Sequence, residues 1–289
     1  MLDISIVIPS YNRPGIVAEA IARCEQLDPP PRELIIVDDH SDLPMDGESL
    51  KRPFVRYIRL PENGGQSVAR SVGLATAAGK YIVSLDDDSW FVDRDALARI
   101  WARMEAMPRC GVLAFRTFSP NDPVREAIDR VTVVADHIAC GAAFRADVLR
   151  QVGYHVQFLR MTGEENDLSL KTMGAGFSVL LDESVRVFHD FDPSRRSRQS
   201  MTRVRRYAVR NDLLQAWIYF PVDIAAALTV WRSWSHFAFG LRNGYVASTF
   251  AGYAAFLYRF PQALFHRRPI ARAAVLEYLR LRRQGSARS

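Results

Sequence analysis

The stretch Tyr81-Ile82-Val83-Ser84-Leu85-Asp86-Asp87-Asp88-Ser89-Trp90 decides how the chain folds. Apolar and β-branched residues run almost unbroken into three carboxylates. Such a run predicts a strand buried on both faces of a parallel sheet, since a half-exposed strand would alternate. In open α/β sheets ligands bind beyond the carboxyl ends of the strands. Three adjacent acids there repel one another unless a cation lies among them, and a divalent metal carrying a phosphate meets that need. The alternative is an ordinary turn with an Asp capping a helix, because Asp93-Arg94-Asp95 and a helical stretch follow.

The same pattern recurs upstream. Ile4-Ser-Ile-Val-Ile8 reads as a first strand, and Pro9-Ser10-Tyr11-Asn12-Arg13-Pro14 as a turn. Over residues 15–27 the spacing of Ile16, Val17, Ala20, Ile21 and Cys24 predicts a helix. Leu34–Val37 is a second strand ending in Asp38-Asp39. Val55–Leu60 is a third, and Asn63-Gly64-Gly65 turns into a helix over Ser67–Ala78. Strands alternating with helices imply βαβ units and an α/β fold with a mostly parallel sheet. Downstream, helices are expected over 96–106, 146–152 and 164–173. Strands are expected over 112–118, 177–181 and 185–188, and a strand or turn over 138–144. Residues 119–137 show no clear period. Past residue 200 the texture changes to long helical stretches rich in aromatic residues and arginine. The expected division is a nucleotide-binding and catalytic domain over 1–215 and a helical extension over 216–289.

At 289 residues and 48% apolar, the chain can bury a large core and global disorder is excluded. Three isolated cysteines, Cys24, Cys110 and Cys140, suggest neither a disulfide framework nor a zinc motif. No basic segment precedes the first strand, so no signal peptide is expected. Charge is unevenly placed. Residues 1–190 carry 21 Lys/Arg against 28 Asp/Glu, whereas residues 191–289 carry 17 Arg against 4 Asp/Glu. A basic extension on an acidic body is expected to meet something anionic. The longest uncharged runs there, Leu213–Val222 and Asn243–Tyr258, fall short of the roughly 20 residues a spanning helix needs. Amphipathic helices lying on a membrane surface, with Trp231 and Trp234 at head-group level, are one reading. A helical subdomain packed on the core is the other.

Acids and polar groups at several strand ends point to nucleotide chemistry. Asp39 suits a base imide, Tyr11 can stack on the base, Asp86 suits a ribose hydroxyl, and Asp88 suits a metal bridging two phosphates. Asn63-Gly64-Gly65-Gln66-Ser67 matches neither GxGxxG nor GxxxxGK[ST], which argues against dinucleotide and P-loop sites. Further on, Thr162-Gly-Glu-Glu-Asn-Asp-Leu168 reads as a capping box of Thr162 and Glu165, or as a pair of catalytic acids. A lone histidine after a strand, such as His189, is ordinarily structural. The arginines of Ser194–Asn211 read as a solvated basic face, and nothing before residue 190 supports nucleic-acid binding.

Taken in order, these segments resemble the GT-A glycosyltransferases of family 2. Ile6-Val-Ile-Pro-Ser-Tyr-Asn-Arg13 is similar to the family's opening strand and turn, and Ile36-Val-Asp-Asp-His-Ser41 to its second-strand motif. Asn63-Gly-Gly-Gln-Ser-Val-Ala-Arg-Ser-Val-Gly73 is similar to its Asn-x-Gly-x-x-x-Ala-Arg-Asn-x-Gly, with Ser71 in place of Asn. Leu85-Asp-Asp-Asp-Ser89 resembles its DxD motif. The resemblance covers about residues 3–215. It implies a Rossmann-like sheet flanked by helices, and an inverting, metal-dependent enzyme of bacterial polysaccharide or glycolipid synthesis. By it, Pro9, Tyr11, Asn12, Arg13 and Asp39 contact the nucleoside and Arg70 supports that pocket. Asp86 and Asp88 frame ribose and metal, with Asp87 in the variable middle position. Glu165 stands where the family places its general base, one methylene longer than the usual Asp. Glu164 is the fallback base or an acceptor contact. His189 is implied as a further ligand to Mg²⁺ or Mn²⁺, with Asp190 substituting for it or orienting it. Arg195, Arg198 and Arg206 would meet the donor diphosphate or a lipid-linked acceptor. The implied partners are a nucleotide-diphosphate sugar, a saccharide or lipid-linked acceptor and an anionic membrane surface, with no nucleic acid. The implied location is cytoplasmic, on the inner face of the membrane. The rival readings are an inactive membrane-surface module and a nucleotidyltransferase.

Overall fold

A computed structural model describes residues 1–159, 161–191 and 197–286. In chain order these contain β1 (Ile4–Ser10), α1 (Pro14–Cys24), β2 (Glu33–Asp38), β3 (Val55–Arg59), α2 (Gln66–Thr76), β4 (Tyr81–Leu85), β5 (Ser89–Phe91), α3 (Ala96–Ala106), β6 (Cys110–Phe118), β7 (Val131–Val133), β8 (Gly141–Arg145), α4 (Ala146–Val152), α5 (Glu164–Gly174), β9 (Ser178–His189), α6 (Arg198–Tyr219), α7 (Val222–Asn243), α8 (Val246–Phe265) and α9 (Arg272–Ser286). The strands form one sheet in the order β3-β2-β1-β4-β8-β6-β9-β5, and β7 also pairs with β9.

The half containing β3, β2, β1 and β4 is parallel, as the sequence predicts. Beyond β4 the sheet is mixed. β8 runs antiparallel to both β4 and β6, so β6 and its parallel neighbour β9 point the same way as β4. This arithmetic of directions brings the carboxyl end of β9 to the edge where β1, β2 and β4 also end. Every residue of β1 and β4 is buried. On β1 the period of two sends Ile4, Ile6 and Ile8 to one face, against α1 and α3, and Val7 to the other, against α2. Contact with α2 is close: a Cβ on Gly73 would lie 2.2 Å from a Val7 methyl, so only glycine fits there.

The two strands expected over 177–181 and 185–188 are one strand, β9. Its register against β6 shifts between Cys110 and Val112 and again after Phe115: Phe115 lies opposite Asp182, and the next residue, Arg116, lies opposite Arg186. The three additional β9 residues form a bulge. Val185 and Val187 thereby face the layer of α1 and α3, as Leu180 does before the bulge, although their numbers have opposite parity.

The C-terminal helices share a separate apolar cluster. Val209, Leu213 and Tyr219 of α6, Phe256 of α8 and Tyr278 of α9 pack there with Leu159 and Leu170. Helix α6 runs unbroken through residue 215. The outer faces of α7 and α8 are apolar and exposed, including Trp231, Trp234 and Leu241 on α7 and Phe250, Leu257, Tyr258 and Phe265 on α8. Both readings of the extension thus have a counterpart: one face packs on the core and the other carries an exposed apolar stripe. Among the described residues no helix is long and apolar enough to cross a membrane. All three cysteines are free and buried.

Candidate active site

The carboxyl edge of the sheet opens into a cleft of about 430 Å³. Pro9 near the end of β1, Tyr11 and Arg13 after it, Asp39 after β2, Asp86, Asp87 and Asp88 after β4, and His189 at the end of β9 all line it. The strand-end clusters marked in the sequence therefore meet. The sequence reading missed Ser10, Gln66, Ala69 and Phe191 as lining residues. Gln66 and Ala69 lay within a marked motif, and Ser10 and Phe191 adjoin marked residues.

The three acids differ in surroundings. Asp86 accepts hydrogen bonds from the buried Arg70 guanidinium and from Gln66 Nε2 at 3.0 Å. Asp87 is buried, takes the Ser10 hydroxyl at 2.5 Å and lies 2.6 Å from Arg13. Burial pushes its carboxyl up to about 6, against the opposing pull of Ser10 and Arg13. Asp88 is half-hidden too, and burial works to raise it. Hydrogen bonds from His189 at 3.1 Å and Arg13 at 3.0 Å outweigh that and hold it below the usual carboxylate range. Asp87, the acid of unassigned role, is thus the tie between β1 and the β4–β5 turn.

The side expected to meet a nucleoside is braced. Both Asp39 oxygens accept backbone N–H groups, from Gly64 and Gly65 at 2.8 Å each, which fixes the loop into α2. The Tyr11 ring is 43% exposed and free to stack on a flat ligand. Asn12 does not line the cleft. It adopts a left-handed conformation and exchanges hydrogen bonds with Asp42, clamping the turn after β1 to the turn after β2.

Glu164 and Glu165 begin α5. The expected capping box does not form. Gly163, with φ of 80°, is the N-cap, and the Thr162 hydroxyl is buried without a partner among the described residues. Two successive left-handed residues, Thr162 and Gly163, point the threonine side chain away from the first turn. The carbonyls of this loop are held from α6 instead. Asn211 Nδ2 lies 2.8, 2.7 and 2.8 Å from the carbonyls of Leu159, Met161 and Thr162, Arg210 donates to Phe158 and Leu159, and Gln215 donates to Gly163. Arg210 and Asn211, at the end of the stretch read in the sequence as a solvated basic face, serve this loop instead. Glu164 is raised by burial, opposed by the charge of Arg70. Glu165 is raised by burial and then by the neighbouring Glu164. Asp86 adds to the raising of both. The cleft lining stops short of these two glutamates. Arg198 and Arg206 are exposed on α6 and line none of the described cavities, and Arg195 lies outside the described residues.

The donor set fits a divalent ion. His189 Nε2 lies 3.1 Å from Asp88 and 3.6 Å from Asp86. An octahedral ion with ligands about 2.1 Å away separates neighbouring ligand atoms by about 3 Å. Ligand atoms of Asp86, Cys140 and His189 also lie within 4.8 Å of one another. Burial raises the Cys140 thiol, and oxygen donors rather than thiolate suit Mg²⁺ and Mn²⁺.

Comparison with known proteins bears on this geometry. Residues 5–153 match the family model described as glycosyl transferase family 2. The chain belongs to that family. This family 2 member is 33% identical over 97 residues to TuaG of Bacillus subtilis (strain 168), named for teichuronic acid biosynthesis, covering 32% of this chain and 38% of that one. It is 34% identical over 96 residues to WcaA of Escherichia coli (strain K12), named for colanic acid biosynthesis, covering 32% and 34%. The match thus spans little more than a third of these relatives. The fold is shared with the mannosyltransferase PcManGT of Pyrobaculum calidifontis, solved with GDP-Man and Mn²⁺, at a TM-score of 0.57 and 17% identity over 99% of this chain and 79% of that one. The GT-A architecture expected of the family 2 sequence is therefore present.

Proposed function

We propose that the protein is an inverting, metal-dependent glycosyltransferase that moves a sugar from a nucleoside-diphosphate donor to an acceptor hydroxyl in the assembly of a bacterial surface polysaccharide or glycolipid. One observation carries this: Asp86, Asp88 and His189 converge at the edge where Tyr11 and Asp39 offer a nucleoside seat, and two glutamates of raised proton affinity begin the helix nearby. The names of TuaG and WcaA support the cell-surface setting.

Asp86, Asp88 and His189 would hold Mg²⁺ or Mn²⁺, which when bound neutralises the leaving diphosphate. Tyr11 stacks on the base and Asp39 accepts from its edge. Arg70, buried and charged, fixes Asp86 toward the ribose. Glu165 takes the acceptor hydroxyl's proton. The freed oxygen attacks the anomeric carbon from the face opposite the diphosphate, the bond to the diphosphate oxygen breaks, and the configuration inverts. Glu164 keeps Glu165 basic by its adjacent charge and touches the acceptor.

The exposed apolar stripes of α7 and α8 support a peripheral position on the inner membrane face. Their tryptophans suit the head-group region, and exposed Arg203, Arg206 and Arg242 on α6 and α7 suit anionic lipid. The test of the enzymatic proposal is a screen of UDP-, GDP- and dTDP-sugars with Mn²⁺. Release of the nucleoside diphosphate, abolished by EDTA, is expected. Release of pyrophosphate instead refutes sugar transfer.

A further inference from the structure

Asp167 stands in the first turn of α5, two residues beyond Glu165, and is completely buried. A carboxylate so placed touches no substrate, and it is costly to bury unless its oxygens are paired. Both are. Oδ1 accepts the hydroxyl of Tyr219, the last residue of α6. Oδ2 accepts the backbone N–H of Val156 at 2.9 Å and the ammonium of Lys171, one turn along α5, at 3.1 Å. That ammonium also donates to the Tyr154 carbonyl at 2.6 Å. One side chain therefore ties the helix of the two glutamates to the segment before it and to α6.

Tyr219 is built for a fixed hold. Its ring is buried in the C-terminal apolar cluster. Burial, and then the charge of Asp167, push its phenol well above the usual value, so it stays a donor. Its backbone carbonyl accepts the N–H of Ile270 at 2.9 Å. Ile270 in turn packs on Gly174 at the other end of α5, leaving no room there for a Cβ. Tyr219 thus takes part in holding both ends of α5. The start of the helix depends on an outside hold, because its N-cap is Gly163, which brings no side chain, and the chain enters through two left-handed residues.

We propose that Asp167 and Tyr219 are positioning residues for the transfer reaction: their hydrogen bond sets where the first turn of α5 lies and hence where the Glu165 carboxylate stands. This rests on Glu165 as the base of the proposed glycosyltransferase. The helix rises about 1.5 Å per residue, so Asp167 and Glu165 lie about 3 Å apart along the axis and move together. A displacement of about 1 Å at a reacting group can cost about 100-fold in rate. Neither Asp167 nor Tyr219 lines the strand-edge cleft, so donor binding does not depend on them.

Tyr219→Phe tests this in the full chain, since it removes the hydroxyl and keeps the buried ring. Backbone hydrogen exchange over residues 163–171, followed by mass spectrometry in EDTA without donor, should quicken by about tenfold or more, the loss of one hydrogen bond to a charged group. Exchange over α2 should match wild type, which shows that the variant is folded. In transfer assays kcat should fall about tenfold or more with the donor KM within about twofold of wild type. The double variant Glu165→Gln with Tyr219→Phe should be no slower than Glu165→Gln alone, because no base remains to be positioned. A purely structural role predicts the same fractional loss in both backgrounds. Equal fractional losses, an unchanged kcat, or unaltered exchange over 163–171 would each overturn the inference. Faster exchange in the variant, in a protein whose wild type transfers no sugar, would instead count against the glycosyltransferase proposal and leave the hold of Tyr219 on α5 standing.

Discussion

Arg13 takes one carboxylate oxygen of Asp88, at 3.0 Å, and leaves the other to His189. A protein cation thus already sits at the edge of the proposed metal site, and it also binds the buried Asp87 at 2.6 Å. Removing it leaves the acids less compensated but draws a metal ion more strongly. Arg13→Ala is therefore expected to melt below wild type in EDTA, with Mn²⁺ closing much of that gap. Differential scanning calorimetry with and without Mn²⁺ checks this, and a gap that Mn²⁺ leaves unchanged would count against a metal beside Asp88.

Asp87 gives a pH signature. Its folded value of about 6 lies above the ordinary carboxylate value, so between them the folded state holds more protons than the unfolded one. Stability from this group is full at low pH and is lost as pH rises through about 6. Asp87→Asn removes the effect. Relative to wild type, the variant should gain about 2 kcal/mol between pH 4.5 and 7, the size set by how far the buried carboxyl stands above an ordinary one. Denaturant unfolding of both proteins in EDTA at the two pH values measures it, and parallel pH profiles would refute it.

Glu165→Gln should lower transfer by about 100-fold or more, the usual worth of a positioned base, while donor binding persists. Normal transfer in that variant would remove Glu165 from the mechanism. Because burial first and Glu164 second raise Glu165, Glu164→Gln should move the acidic limb of the rate profile to lower pH. An unmoved limb would separate the two glutamates.

Asn211 is expected to act at a distance. Its amide serves the carbonyls of Leu159, Met161 and Thr162, just ahead of the two glutamates. Asn211→Leu would leave buried carbonyls unpaired, at a cost of about 1–3 kcal/mol each. The expected kinetic result is a fall in kcat with the donor KM near wild type. A KM-only effect would place Asn211 with donor binding instead.

Membrane attachment can be tested by flotation with vesicles of anionic lipid. Burying one large apolar side chain is worth about 1.5–3 kcal/mol. Trp234→Ser together with Leu257→Ser should therefore weaken binding by about 100-fold or more, with melting unchanged because both residues are exposed. Flotation equal to wild type would refute attachment through α7 and α8.

Much of the fold and cleft was legible because strands buried on both faces write themselves as apolar runs, and those runs ended in the residues that now meet. What escaped has physical reasons. β5 and β7 are three residues long, too short to show a period. β9 looked like two strands because Asp182-Glu183-Ser184 interrupts it, and the acids are answered by Arg103, Arg116 and Arg130 from distant segments. The capping box failed on the left-handed turn of Thr162 and Gly163, which the side-chain pattern does not report. The hold of Asn211 on the α5 loop spans about fifty residues and leaves no local trace.

The bulge in β9 has a consequence for the proposed metal site. His189 follows Val187 on the same side of the strand, and that side is set by how many residues stand between the pairings of Asp182 and Arg186. Deleting Ser184 would preserve the composition of the strand and its length to within one residue. It would also turn the imidazole to the far side of the sheet, away from Asp88. The third ligand is thus specified by an integer, and a one-residue deletion far from the cleft would disarm it while every acid stayed in place.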